Sequence, residues 1–520
     1  MVQHCTVRNE DELVETTRCM LRHSLPIAEY LIEKQDEHPG RTALGLLLQE
    51  SRRLEELLDA YGARTNRAWL PFRRVVAAVK LFCDVHYKLL HLKYSIPLYA
   101  LLPLEEDIDV STATALERSR RLLSTTLRNF LDSAERNGLY PEVEPYQPRC
   151  IEDEEVTWRL PNDLTRTALT YSPGETVVSL ATTFLNTVEG SDLRELHSTI
   201  LERGFASCVP AMACEEDFRR YEDVFHNLQA LYDSYVGGTD LERTDENLGY
   251  LRGHATIAYH LFEIVTALTH HYERHLLAPE DATTQEEQRA SGAEPDRSAR
   301  IDDISWIVVS YATTFAVRYA TGVQDLCRKL IRRYTEDTAI SVPAPPYRGF
   351  HVRPSTLIAR IVRHYGSEVT LQLEEERCDA SSPLEMIRVN ERINALKRRS
   401  IGHELMQVLK EQSNGRDFQS ALHETITELY RRHKIVIYAQ ELGLARIEPS
   451  DSEPLGEYAR RALAQLLAEG RIDIQAEIHV TFQGDKRALD DIALLARSGY
   501  GEDRLGENIP LPPALSYLKR

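Results

Sequence analysis

The sequence predicts an all-α region over residues 1–336, followed by a smaller region that mixes α-helices and β-strands. Two observations carry this prediction. Before residue 336, apolar residues recur at three- and four-residue spacing over long stretches, and short Pro/Gly breaks separate them. Beyond it, strand-like alternation begins to appear between the helical stretches. The chain has 520 residues, 42% of them hydrophobic, so we expect two or three domains.

The first helices are amphipathic. In "TALGLLLQESRRLEELLDAYG", residues 42–62, leucines recur at helical spacing. The apolar run "RRVVAAVKLFCDVHYKLLHL", residues 73–92, is interrupted by Lys80, Asp84 and Lys88, which favours a buried helix over a membrane span. The first residues lack the apolar stretch of a signal peptide, and the eight cysteines form no C-x-x-C pair. We therefore expect a cytoplasmic protein with reduced thiols.

Two further features mark the helical region. "VVSLATTF" at 177–184 recurs as "VVSYATTF" at 308–315, which raises the hypothesis of an internal duplication, although chance or shared packing of small residues would also explain it. Residues 278–300 are polar and poor in large apolar groups, which predicts a mobile loop.

Charge and motifs exclude several functions. The net charge of −19 argues against nucleic acid or an anionic membrane as the main partner, because both attract positive charge. No glycine-rich phosphate loop, nucleophile elbow or kinase signature is present. We therefore expect no cofactor and no catalytic machinery that acts alone; an enzymatic role for the helical region has no motif to support it.

One stretch is rich in histidine. It contains His254, His260, His270, His271 and His275. His271 and His275 share a helix face at i, i+4 and could bind a metal if a third ligand joined them, but no H-E-x-x-H pattern is present. Solvated or hydrogen-bonded histidines explain the stretch, so no metal is predicted. Cys208 and Cys214 lack zinc-site spacing and are interpreted as core thiols.

The strongest candidate site lies in "RGFHVRPSTLIARIVRHYG", residues 348–366. The pattern predicts a helix that begins near Arg353, with Pro354 at its first position and Gly366 after its end. His351 would then lie just outside a helix N-terminus, where free N–H groups and the helix dipole favour an anion. A histidine is a competent nucleophile near neutral pH, so we expect a phosphoryl group there, with Arg353 as its clamp. The alternative is a histidine that only caps or packs at the helix start.

The flanking segments predict an ordered pattern of elements. A short strand around Ile340 precedes the histidine, and "SEVTLQLEEERCDA", residues 367–380, alternates as a strand with one wet face. "SSPLEMI", residues 381–387, is typical of a helix start, with Ser382 as N-cap and an approximate capping box. After a helical segment, residues 472–501 predict a strand from Ile474 to Phe482, then a helix that ends at Gly499.

The motif G-F-H-V-R-P-S at residues 349–355 resembles that of the HPr family, the small phosphocarrier proteins of the bacterial sugar phosphotransferase system. The resemblance implies an open-faced α/β sandwich built from residues 337–387 plus 472–520. In HPr proteins the second helix leads directly to the last strand, so residues 388–471 would be a helical insertion, which a surface loop tolerates. The tail, residues 506–520, matches no part of the family, and we expect it to wrap the domain in extended form.

The resemblance also implies roles for individual residues. His351 would be the phosphoryl acceptor and Arg353 its supporting cation. Ser382 falls where the family carries a regulatory serine, although a serine before a proline caps a helix whether or not a kinase reads it. The implied partners are an Enzyme I-type donor, phosphotransferase acceptor proteins and a serine kinase. The rival hypothesis is a scaffold that uses the HPr fold as a docking surface and is never phosphorylated.

Overall fold

The structure is a computed structural model that describes residues 9–34, 40–142, 144–147, 173–189, 193–277, 294–413, 417–444, 447–450, 453–503 and 505–519. It divides into two compact units, Met1–Cys327 and Arg328–Arg520. The sequence predicts the boundary slightly later, at residue 336. Most of the predicted polar loop, residues 278–293, lies outside the described residues, and its remainder belongs to a helix that begins at Glu294.

The described part of the first unit consists of helices and their connections, as predicted. The α-helices are α1 (Glu10–Glu33), α2 (Arg41–Ala60), α3 (Leu70–Ser95), α4 (Ile108–Arg136), α5 (Pro173–Glu189), α6 (Leu193–Arg203), α7 (Phe205–Cys208), α8 (Glu215–Tyr235), α9 (Asp240–Thr244), α10 (Asn247–His271), α11 (Glu294–Ser305) and α12 (Thr314–Gly322). Short 3₁₀ turns occur at Ala63–Thr65 and Ile96–Leu98, and π-helical segments at Tyr272–Leu276 and Trp306–Thr313. Helix α13 (Gln324–Tyr334) contains the division between the units.

Helix α10 is buried at most of its positions, both polar and apolar, and it packs against α3, α8 and α12. Among the described helices, none is long and apolar enough to cross a membrane. The two copies of the repeated octapeptide differ in conformation. Residues 177–184 lie in α5, whereas residues 308–315 begin in a π-helical segment and end in α12. The hypothesis of a duplication stays a prediction.

Two histidines of α10 are buried in this core. His254 donates its Nδ1–H to the Tyr250 carbonyl oxygen at 2.8 Å, and burial lowers the pKa of this histidine to about 4. His271 packs its ring edge on Phe82, with ring centroids 4.9 Å apart, and its Nδ1 has no hydrogen-bond partner in the described part of the chain. Burial, and then repulsion from Arg300 and from His275 in its protonated form, lowers the pKa of His271 to about 3. Both side chains are therefore held neutral in the folded state.

The free energy of unfolding is expected to fall as the pH drops from 7 to 5. The unfolded chain binds protons at these histidines below pH ~6.5, whereas the folded chain resists them until about pH 4, so stability present above pH ~6.5 is lost on acidification. Thermal unfolding at pH 7 and pH 5 measures the shift. His271→Phe should reduce it, whereas His226→Phe, at an exposed position on α8, should not. An unchanged shift in His271→Phe would contradict the assignment.

The second unit combines helices with two small antiparallel sheets. Its elements are β1 (Asp337–Pro343), α14 (Val352–Tyr365), β2 (Val369–Leu373), β3 (Glu376–Asp379), α15 (Pro383–Gln412), α16 (Phe418–Arg431), β4 (Ile435–Ile437), α17 (Leu455–Ala468), β5 (Ile472–Ile474), β6 (His479–Asp485) and α18 (Lys486–Arg497). Two 3₁₀ segments follow α18: Gly499–Gly501 directly after it, and Pro513–Lys519 in the tail. The larger sheet has the strand order β1-β6-β2-β3, and the smaller one pairs β4 with β5.

Strand β6 lies between β1 and β2, and Phe482 pairs with Ile340 on one side and Leu371 on the other. Along β2, apolar residues are buried and Thr370 is exposed, so the sheet buries one face, as the alternating sequence predicts. That face joins the apolar sides of α14, α18 and the first turns of α15 in one core. The single strand predicted over residues 367–380 is divided by a turn into β2 and β3, which pair with each other.

Three predicted boundaries are wrong. Helix α14 begins at Val352 with His351 as its N-cap, so Pro354 occupies the third helical position. A proline fits there too, because no N–H of the first turn has an intrahelical acceptor. Ile474 belongs to β5, where it pairs with Ile435, and the final strand starts only at His479. The second helix, α15, is 30 residues long and continues into the predicted insertion.

The segment predicted as an insertion has a core of its own. Helix α15 serves both cores: Met386, Val389 and Ile393 lie in the core of the larger sheet, whereas Ile401 and Leu405 lie in a second core with α16, α17 and the smaller sheet. The tail packs on the first core through the buried Leu515 and Leu518, partly as a 3₁₀ helix and not wholly extended.

Candidate functional site

His351 lies at the end of a loop that joins β1 to α14. It has extended backbone angles as the N-cap of α14, and its own N–H donates to the Gly349 carbonyl at 2.9 Å. Its ring meets Tyr347 edge to face, with centroids 5.4 Å apart. The side chain is 25% exposed. The residue therefore occupies the position predicted from the sequence, at a helix N-terminus and partly open to solvent.

Glu502, which was not among the predicted site residues, contacts the histidine from the segment between α18 and the tail. Its carboxylate oxygens lie 3.0 and 3.2 Å from His351 Nε2, and its side chain is only 8% exposed. No motif surrounds Glu502, and 151 residues separate it from His351 along the chain. Only the fold brings the two together.

Both ring nitrogens of His351 face hydrogen-bond acceptors. Nδ1 lies 3.1 Å from the Gly349 carbonyl oxygen, and Nε2 faces the Glu502 carboxylate. An ionised carboxylate can only accept, so Nε2 carries a proton whenever Glu502 is charged. In the neutral ring, the lone pair is then on Nδ1, which has to turn away from the Gly349 carbonyl oxygen before it can attack a phosphorus.

Arg353 follows in the first turn of α14. Its Nε lies 3.8 Å from the nearer Glu502 oxygen, which is beyond hydrogen-bond distance. The Nε atom is buried and has no hydrogen-bond partner in the described part of the chain, although the side chain as a whole is 36% exposed. A buried, unsatisfied guanidinium donor is costly, so this group is suited to an anion placed beside the histidine.

Residues of α15 and β5 fix the backbone of the loop. The Phe350 N–H donates to Asn390 Oδ1 at 2.7 Å. Gly349 has a φ of +63°, and a Cβ there would lie 2.4 Å from the same oxygen, so this position requires glycine. Arg348 also has a positive φ, of 53°, and its N–H donates to Asp473 Oδ2 at 3.3 Å. The loop is therefore held from several sides.

Asp473 in turn pairs with Lys397, and both side chains are almost fully buried. The Lys397 ammonium donates to the two carboxylate oxygens at 2.7 and 2.9 Å. Such a pair fixes the position of β5 against α15, since neither charge has access to water. Through Asp473, this ion pair is connected to the loop that carries His351.

The chain that follows α18 covers the other side of the site. Tyr500, at a φ of 59°, is buried and donates its hydroxyl to the Pro343 carbonyl at 2.6 Å. Gly506, also at positive φ, approaches Tyr347 so closely that a Cβ would lie 2.5 Å from its ring. These contacts place Glu502 on the histidine.

Ser382 is the N-cap of α15, as predicted, and its hydroxyl accepts from the Glu385 N–H at 3.4 Å. The capping box is incomplete, because the Glu385 carboxylate accepts from the Asp379 N–H at 3.0 Å instead of from the Ser382 N–H. The hydroxyl thus has the structural role that the alternative interpretation gives it. A regulatory role for Ser382 stays a prediction.

The histidines and cysteines considered as possible metal ligands each make a different contact. The rings of His271 and His275 have centroids 5.1 Å apart, and His270 Nδ1 lies 2.7 Å from a Glu215 oxygen. Cys208 is buried, whereas Cys214 is half-buried and donates to Asp217 at the start of α8. Within the residues that the structure describes, no group of three His, Cys, Asp or Glu side chains could hold a metal ion.

Together, the fold and the site define a mostly helical protein with a small antiparallel sheet and a histidine–glutamate–arginine cluster at a helix N-terminus. Comparison with known proteins gave no match to this chain, whether to protein-family models, to curated proteins or to solved structures. Any functional assignment therefore depends on the geometry of the chain itself.

Proposed function

We propose that this protein accepts a phosphoryl group on His351 and acts as an HPr-like phosphocarrier or phosphorylation-dependent regulator. One observation carries the proposal: His351 is the N-cap of α14, and the neighbouring Arg353 holds a buried Nε donor without a partner in the described part of the chain. A phosphoryl group on His351 would meet the helix dipole, the free amides of the first turn and this guanidinium.

The chemistry assigns Nδ1 as the acceptor. Glu502 accepts the Nε2–H bond and keeps the ring oriented while Nδ1 attacks the phosphorus in line. With an Enzyme I-type donor that carries a phosphohistidine, the donor's P–N bond breaks as the Nδ1–P bond forms. A proton initially on Nδ1 leaves to solvent before attack, which frees the lone pair. The phosphoryl oxygens are then neutralised by Arg353.

The order of elements supports the HPr-like interpretation. A strand, a loop with the histidine, a helix, a strand and a capped helix follow one another, and after the segment that builds the second core come a final strand and helix. This is the order that the resemblance implies. The proposal extends to phosphotransferase acceptor proteins and a serine kinase at Ser382 as partners, and to the cytoplasm as location.

A different observation favours the rival scaffold hypothesis. Tyr347 lies against the ring of His351, and Glu502 fills the space at Nε2, so a donor reaches only the exposed quarter of the side chain. In a scaffold, these contacts would be permanent, and the site would serve only to hold the tail on the loop.

Phosphorylation of the full chain distinguishes the two. The purified protein is incubated with phosphoenolpyruvate and Enzyme I, and phosphate is sought by intact mass and by peptide mapping. One acid-labile phosphate on the peptide that contains His351 is expected. No labelling, with a conventional HPr labelled fully in the same mixture, would favour the scaffold or a different donor.

Glu502→Gln is expected to slow phosphoryl incorporation about 10-fold or more, because the amide no longer enforces a proton on Nε2 and orients the ring less well. Glu507→Gln serves as the matched control, since this exposed tail carboxylate does not contact the histidine in the structure. The labelling rates of both variants are measured from pH 6 to 9. A loss confined to Glu502→Gln indicates altered orientation of the His351 ring and not altered folding. Equal rates in the two variants would remove Glu502 from the proposed mechanism.

A further inference from the structure

A cavity of about 600 Å³ lies within the first unit, between α2, α3, α8 and α10, and it is markedly basic. Seven arginine and lysine side chains line it, against three carboxylates, an excess of four positive charges. The chain as a whole carries a net charge of −19. The cavity thus concentrates positive charge in an otherwise acidic protein. A concave, basic site of this kind favours the binding of anions.

The carboxylates of the cavity are already paired. Glu55 accepts from Arg73 at 2.8 Å and also from Lys80. Glu215 pairs with Arg219 and with His270. Each acidic group thus compensates a cation that lies beside it, and Asp84 is engaged by Lys88, 2.9 Å away.

Three arginines of the lining have no carboxylate partner among the described residues. They come from three different elements: Arg52 from α2, Arg74 from α3 and Arg274 from the π-helical turn that follows α10. By contrast, Arg53, which follows Arg52 on α2, pairs with Glu50 at 3.2 Å. Three uncompensated guanidiniums around one cavity leave a site that two or more phosphate groups would neutralise.

His275 adds a neutral hydrogen-bonding group to the same lining. Burial, followed by the charges of Arg73, His270 and Arg74, lowers the pKa of His275 to about 4. The ring is carried by a π-helical turn, a feature often found at functional sites. A neutral imidazole can both donate to and accept from a bound ligand.

The remaining lining is apolar, with Leu48, Leu70, Leu81 and Ala267 among its members. Such a wall suits an organic group more than a bare inorganic ion, because apolar surface buried against a ligand adds to affinity. We propose that this cavity binds a small organic diphosphate, with Arg52, Arg74 and Arg274 holding the phosphates. This site is separate from His351 and does not depend on its phosphorylation.

Isothermal titration calorimetry of the full chain with ADP and with inorganic pyrophosphate tests the proposal. One saturable site per chain is expected for both, with ADP the tighter ligand. Arg74→Gln and Arg274→Gln should each weaken binding about 10-fold or more, as expected for loss of one charged hydrogen-bond donor. Each variant is checked for an unchanged circular dichroism spectrum and thermal midpoint.

The matched control compares two neighbours on α2. Arg52→Gln removes a cation of the cavity, whereas Arg53→Gln removes one that points elsewhere and pairs with Glu50. Only the first should weaken binding. No saturable binding of either probe, or equal weakening in Arg52→Gln and Arg53→Gln, would overturn the proposal. ADP binding no tighter than pyrophosphate would overturn its organic part.

Discussion

His351→Ala is expected to abolish incorporation of phosphate from phosphoenolpyruvate and Enzyme I, whereas Arg353→Ala should slow it about 10- to 100-fold. The difference follows from their roles. Without the imidazole there is no nitrogen to accept the phosphoryl group, and Glu502, which contacts this ring, cannot form a phosphohistidine in its place. Without Arg353 the nucleophile remains, but the guanidinium whose buried Nε would neutralise the phosphoryl oxygens is lost.

His403→Ala is the control for both variants. This histidine is exposed on α15, so its loss should leave the labelling rate and the thermal midpoint unchanged. Full labelling of His351→Ala would sink the assignment of the acceptor. If Arg353→Ala were labelled at the rate of the unaltered chain, the guanidinium would have no part in the transfer, and the helix N-terminus alone would have to hold the phosphoryl group.

The local features of the second unit could be predicted from the sequence because they depend on neighbouring residues. The buried face of α14, the alternation along β2 and the cap by Ser382 all follow from short-range periodicity and capping. The residues at which these elements begin and end were predicted less accurately. His351 is itself the N-cap, with extended backbone angles and no side-chain cap hydrogen bond, so the first-turn amides lack an acceptor there.

The contacts that complete the site could not be predicted in this way. Glu502 reaches His351 only because Tyr500 and Gly501 adopt positive φ angles and because Leu515 holds the tail on the core. Likewise, nothing in the sequence near Asp473 indicates that its carboxylate accepts from the Arg348 backbone. Such pairings are set by tertiary packing and not by any local pattern, so a single sequence does not reveal them.

The ion pair between Lys397 and Asp473 is expected to have the largest effect on stability. Lys397→Met should lower the free energy of unfolding of the second unit by about 3–5 kcal/mol, because it leaves the buried Asp473 carboxylate without its cation. The effect should extend to phosphorylation. Asp473 also accepts from the Arg348 N–H, so a displaced carboxylate disturbs the loop that presents His351.

A second substitution separates lost charge from lost packing. In Lys397→Met/Asp473→Asn the buried charge is gone, while the asparagine oxygen can still accept from Arg348, so most of the stability and of the labelling rate should return. Lys410→Met, at an exposed position of the same helix, should change neither. Urea unfolding and labelling rates measure both effects. If Lys397→Met were as stable as Lys410→Met, water would have to reach the Asp473 carboxylate. The loop that carries His351 would then be held by Asn390 and the tail instead.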